Sequence, residues 1–219
     1  MEFGLFTEFH SPPGVSEAAA FDESLAQMKA AEDFGFDAVC LAEIHFQKDR
    51  SVLAAPLIIA SALAACTRRV KIGIAVQVLP LSHPLRLAED VATVDHISKG
   101  RLEFGVGRSG LPGHYQGVNI PYSESRDRFL ETLDILRKAW TQERFSHQGK
   151  YFQFQDLCIM PKPFQKPHPP IRIAQKRARW ASSGRSARRS GNSTARPRRP
   201  RKRARRGPIA SPKSLTTRS

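Results

Sequence analysis

The chain has 219 residues and a formal net charge of +15, but that charge is not spread along it. Of the 35 lysines and arginines, 16 fall in residues 175–219, which contain no aspartate or glutamate; residues 1–174 hold the remaining 19 against all 20 acidic residues. Three cysteines far apart (Cys40, Cys66, Cys158) exclude a disulfide framework and a zinc-type spacing, and fit reduced thiols in a cytoplasm.

Residues 1–174 have the composition of a globular domain. The N-terminus lacks the basic start and apolar core of a signal peptide. The longest uncharged apolar run, 52–66, contains Pro56 and falls short of the ~20 residues that a membrane span needs. It reads as a buried helix, and no membrane partner is expected.

In chain order, residues 2–9 are short and apolar, a first strand. Residues 21–34 carry Leu25, Met28, Ala31 and Phe34 as a helical stripe, with Gly35 as a stop. Residues 37–42 form strand two and 53–66 helix two. Residues 70–79, rich in β-branched side chains and closed by Pro80, form strand three. Residues 84–98 form helix three, opened by Pro84, striped by Leu87, Val91, Val94 and Ile97, and stopped by Gly100. Strand four is 102–107. After a loop, helix four spans 123–141 with a stripe of Phe129, Leu133, Leu136 and Trp140. Residues 145–159 read as a hairpin around Gly149-Lys150, 161–170 as a proline-rich connection, and 171–174 as the start of strand five.

Regular βα alternation implies a parallel sheet covered by helices. The expectation is an α/β fold of the (β/α)8 TIM-barrel type, incomplete, with only its first half (strands one to five) in residues 1–174. Such folds place their sites at the C-terminal ends of the strands. Strand one ends in Glu8-Phe9-His10, strand two in Glu43-Ile44-His45, strand three near Ala75-Val76-Gln77, and strand four in a Gly-Arg turn. Residues two apart on a strand share a face, so Glu43 and His45 point the same way. A titratable pair there is a candidate for acid–base work, with Glu43 acting directly or orienting His45. Glu8, His10, His96 and Cys40 read as structural.

Residues 102–110 hold Gly105, Gly107 and Gly110 with Arg108. Arginine suits a phosphate, and glycine admits a close ligand. Gly105-x-Gly107-x-x-Gly110 also spells the dinucleotide fingerprint. That reading fails on context: the last glycine should open a helix, and Leu111-Pro112-Gly113 reads as loop. A turn that binds an anion remains, against a tight turn that binds nothing.

Residues 35–46, 78–90 (Val78-Leu-Pro-Leu-Ser-His-Pro-Leu-Arg-Leu-Ala-Glu-Asp90), 98–108 (Ser98-Lys-Gly-Arg-Leu-Glu-Phe-Gly-Val-Gly-Arg108), 124–129 and 161–170 together resemble the bacterial luciferase-like flavin-dependent monooxygenases. The resemblance covers residues 1 to about 174, in order. It implies a (β/α)8 barrel that binds reduced FMN supplied by a flavin reductase, or the deazaflavin F420 in some branches. It implies transfer of one oxygen atom of O2 to a small organic substrate, and dimers are common among relatives. It matches Arg108 to the arginine that meets the flavin phosphate. It matches Ala75-Val76 to the segment against the isoalloxazine ring, where the family can hold a strained peptide bond. Gly105 and Gly107 join them as cofactor-binding candidates, His45 and Glu43 are the catalytic candidates, and no metal is implied. The luciferases carry two adjacent histidines after the glutamate, and here Ile44 takes the first place. Gly107 stands where they carry a reactive cysteine. A monooxygenase or reductase branch is implied rather than light emission.

Residues 175–219 show no hydrophobic period and read as a disordered Arg-rich tail. Two origins stay open: a basic arm for nucleic acid, or a frameshift product. The switch falls inside a strand, where no domain boundary belongs, which favours the frameshift. The expectation is then a truncated family member, inactive as written. Two alternatives are a metal-dependent barrel hydrolase using the Glu-x-His pairs and a nucleic-acid-binding protein acting through the tail.

Overall fold

The computed structural model describes residues 1–174; the readings made of 175–219 lie outside the described residues. Five strands form one parallel sheet: β1 (Gly4–Thr7), β2 (Ala38–Leu41), β3 (Lys71–Val78), β4 (Leu102–Gly107) and β7 (Ile171–Ile173). The helices are α1 (Glu17–Asp33), α2 (Pro56–Cys66), α3 (Pro84–Ser98), α4 (Pro112–Gln116) and α5 (Ser125–Thr141). A separate antiparallel hairpin, β5 (Phe145–Gln148) with β6 (Gln153–Leu157), forms where the sequence predicts it.

Strand order decides the architecture. It runs β1-β2-β3-β4-β7, so each new strand joins the same edge. A doubly wound sheet reverses direction at a switch point and puts its first strand inside. With right-handed crossovers and no reversal, the crossover helices fall on one face, which is how a barrel winds. Burial agrees: Val39, Leu41, Ile72, Ile74, Leu102, Phe104 and Val106 form the helix-covered core. The opposite face carries the register row Phe6, Cys40, Gly73 and Glu103.

Two expectations about helices need correction. The α1 stripe buries Met28 and Ala31 but leaves Leu25 and Phe34 exposed. Three steps of three residues rotate a stripe by about 180°, so those two lie on opposite sides. The true inner face is Ala20, Ser24, Met28 and Ala31. The helix also starts four residues before the predicted residue 21, because the Ser16 hydroxyl caps the Ala19 N–H at 3.2 Å. Helix α2 begins at Pro56, the favoured first-turn position, and is buried on one side only, since Ile58 is 70% exposed.

The ends of the sheet opposite the candidate site are tied by polar clamps. The Glu32 carboxylate accepts the backbone N–H groups of Arg68 (2.9 Å), Arg69 (2.7 Å) and Val70 (2.8 Å), fixing the entry to β3. Burial pushes its pKa up, but the three N–H bonds outweigh that and hold it below the ordinary value. A lowered folded pKa contributes stability above the unfolded pKa, lost as pH falls through the folded one. Glu32→Gln is expected to cost about 1 kcal/mol at neutral pH, less than a buried charge-assisted bond because solvent reaches the site and the amide oxygen can still accept. It should also flatten the acid limb of stability, read by urea denaturation at a series of pH values.

Candidate active site

Strand β3 loses its regular register with β4 between Ile74 and Gln77, and the Ala75–Val76 peptide there is cis. The two glycines of β4 sit opposite this irregularity. A Cβ on Gly105 would lie 2.0 Å from the Ile74 carbonyl oxygen, and one on Gly107 would lie 2.5 Å from Val76 Cγ2. The immediate reason for these glycines is therefore the neighbouring strand. Gly107 and Val76 still line a cleft; the space beside Gly105 is filled by Ile74.

That cleft, about 730 Å3, opens at the C-terminal ends of β3, β4 and β7, within the range of ligand pockets. Its polar lining includes Arg108, Ser109, Tyr122 and Arg126, and its apolar lining includes Val76 and Phe129. Arg108 is exposed and spends one donor on the Ser125 hydroxyl (3.0 Å) at the first turn of α5. A guanidinium beside a helix N-terminus suits an anion, and a second guanidinium adds to it. The donor set fits a flavin nucleotide: cationic and hydroxyl groups for a phosphate, aliphatic and aromatic walls for a flat ring.

The sequence predicts loop at 111–113, but α4 begins at Pro112. Five residues are too few to carry a clear period, which hides the helix from pattern reading. The fingerprint reading still fails, because β4 lies fourth in a sheet without a switch point. Helix α4 turns two side chains inward. Tyr115 is fully buried, its hydroxyl donates to the Arg108 carbonyl, and burial, then the neighbouring Tyr122, pushes its pKa up to about 12. His114 is 1% exposed.

Glu43 and His45 point the same way, as their spacing predicts, with His45 Nε2 2.7 Å from Glu43 Oε1. The second Glu43 oxygen accepts the Val78 N–H at 2.7 Å, anchoring the carboxylate to the end of β3. Glu43 is buried, whereas the His45 side chain keeps 22% of its surface. A buried carboxylate fixed by a backbone N–H and facing a partly exposed imidazole is built to orient that ring. Both residues line a second cleft of about 360 Å3, together with Gln77 and His83.

The sequence candidates therefore fall into two adjoining clefts: Val76, Gly107 and Arg108 in the larger, Glu43 and His45 in the smaller. Ala75 and Gly105 line neither. The first Glu-x-His pair does not join the second. Glu8 is taken by Arg50 at 2.8 Å, and His10 Nδ1 pairs with the Arg50 carbonyl. Among the described residues, no three His, Cys, Asp or Glu side chains are grouped to hold a metal ion, and no helix is long and apolar enough to cross a membrane. His114 and Tyr115 escaped sequence reading, whereas Gln77 was read only as the end of strand three and Arg126 lay inside a stretch quoted for the resemblance.

The family model described as luciferase-like monooxygenase matches residues 1–190. The chain is 35% identical over 187 residues to the uncharacterized protein y4wF of Sinorhizobium fredii, covering 84% of this chain and 54% of that one. The crystal structure of the monooxygenase RslO1 from Streptomyces bottropensis superposes with a TM-score of 0.75 at 33% identity, covering 79% of this chain and 53% of that one. The oxygenating constituent of 3,6-diketocamphane monooxygenase from Pseudomonas putida, solved in complex with FMN, gives 0.71 at 26% identity, covering 79% and 51%. The chain spans about half the length of the curated relatives it matches.

Proposed function

The chain belongs to the luciferase-like monooxygenase family, and from that premise we propose that its site serves a flavin-dependent monooxygenase. Residues 1–174 correspond in this reading to the first half of the barrel. Reduced FMN, delivered by a separate flavin reductase, is the cofactor; the deazaflavin F420 is the variant to test against it. The substrate is a small organic molecule, the co-substrate O2, and the compartment the cytoplasm. When bound, the flavin would supply the two electrons that activate oxygen.

The observation that carries this reading is the larger cleft, with Arg108 and Arg126 at the mouth and Val76 and Phe129 along the wall. Arg108 would hold the phosphate, tied to the start of α5 through Ser125. Val76 and Gly107 would form the surface under the ring. Gly105 would act one step back, leaving room for the strand that carries Val76. His45, held by Glu43, would exchange a proton with substrate, and Glu43 would keep its ring in place.

The test is binding. Titrating the purified chain with FMN, followed by flavin fluorescence, should saturate at one equivalent. Arg108→Ala should weaken binding roughly 10- to 100-fold, the value of one charge-assisted hydrogen bond. Riboflavin, which lacks the phosphate, should bind wild type and variant alike. Equal FMN affinity in both proteins would remove Arg108 from the site.

A further inference from the structure

One buried side chain touches a lining residue of each cleft. His114 Nδ1 lies 3.3 Å from the Ser109 hydroxyl, next to Arg108. Its ring meets the His45 ring edge to face, with centroids 5.6 Å apart and planes at 87°. One side thus touches the anion turn and the other the acid–base pair. The next residue, Tyr115, fixes the Arg108 carbonyl.

The hydrogen bonds determine which nitrogen carries the proton. The Ser109 hydroxyl oxygen already accepts the Leu111 N–H at 3.1 Å, and it has a second lone pair for His114. His114 Nε2 is buried without a partner among the described residues. A bare lone pair in that position costs less than an orphaned N–H. The neutral ring with its proton on Nδ1 satisfies both constraints. Burial, then the facing His45, disfavours a second proton; Glu43 opposes this, and Arg50 adds to it.

We propose that His114 is a positioning residue for both ends of the site: its Nδ1–H holds Ser109, and with it the Arg108 turn, while its ring seats His45 against Glu43. Ser109 has φ 56°, a left-handed conformation that a serine adopts only when held. Its hydroxyl bonds to Leu111 and His114 are what hold it. The proposal rests on the flavin reading for its affinity arm and on the protein alone for its spectroscopic arm.

His114→Phe keeps the ring and removes Nδ1. His114→Asn loses the ring but places an amide N–H near the Nδ1 position. FMN affinity should fall about tenfold in His114→Phe and return to within about threefold of wild type in His114→Asn. Ser109→Ala removes the Leu111 bond as well as the His114 bond, so adding it to His114→Phe should lower affinity further, but by less than the product of the two single effects. Independently, long-range proton–nitrogen NMR of the wild-type imidazoles at neutral pH should show His114 neutral with the proton on Nδ1. An Nε2-protonated or charged His114 would overturn the proposal, as would equal FMN affinity in the Phe and Asn variants. If wild type binds no FMN, the flavin reading fails, and the tautomer still decides the role of His114.

Discussion

Gly105→Ala is expected to destabilise the chain by about 3 kcal/mol or more and to abolish FMN binding, although Gly105 lines neither cleft. The added methyl would sit 2.0 Å from the Ile74 carbonyl oxygen and 3.2 Å from its carbon. Both are backbone atoms, so no rotamer change relieves the overlap, and β3 or β4 must shift. The segment that would shift carries Val76, which walls the larger cleft. Gly107→Ala supplies the contrast. Its methyl would meet Val76 Cγ2 at 2.5 Å, a side-chain atom. The double variant Gly107→Ala with Val76→Ala should recover most of the lost stability, and Gly105→Ala with Val76→Ala should not. Chemical denaturation of the four proteins, with an FMN titration of each, checks both statements. A Gly105→Ala protein of wild-type stability would mean that β3 does not approach β4 in this way.

The contrast also separates what the sequence discloses from what it hides. The βα alternation is legible because each crossover needs a helix, and the stripe of α5 is legible because 129, 133, 136 and 140 mix steps of four and three. The α1 stripe misleads because uniform steps of three drift around the helix. The gathering of Glu43, His45 and Arg108 at one rim was readable because a parallel sheet brings the ends of its strands together there, whatever the side-chain detail. The role of Gly105 was not, because the atom that excludes its side chain belongs to Ile74 on another strand. His114 was hidden for a related reason. Its inward direction is set by a one-turn helix, and its partners His45 and Ser109 meet only after folding.

Arg101→Met is expected to be the most destabilising single change on the far rim, by about 3–5 kcal/mol. The sequence offers Arg101 only as part of a Ser-Lys-Gly-Arg stretch. The structure gives it a use for every donor. Nε bonds the Ser98 carbonyl (2.9 Å), Nη1 the Thr67 hydroxyl (2.9 Å) and the Val70 carbonyl (3.0 Å), and Nη2 the carbonyls of Ala64 (2.8 Å) and Thr67 (3.1 Å). These acceptors close the C-terminal ends of α2 and α3 and the approach to β3. A left-handed turn at Lys99 and Gly100 (φ 53° and 81°) brings the side chain back beneath them. Counted singly, five bonds to a charged group at about 1.5–3 kcal/mol would exceed the whole stability of many domains, about 5–15 kcal/mol. They share one side chain, and water can reach part of the site, so the realised loss is smaller. Lysine cannot repair it. One ammonium carries three donors at a single point, whereas these five acceptors surround a planar fork. Arg101→Lys should therefore fall within about 1 kcal/mol of Arg101→Met in urea denaturation. A lysine variant close to wild type would show that charge rather than the fork closes this rim.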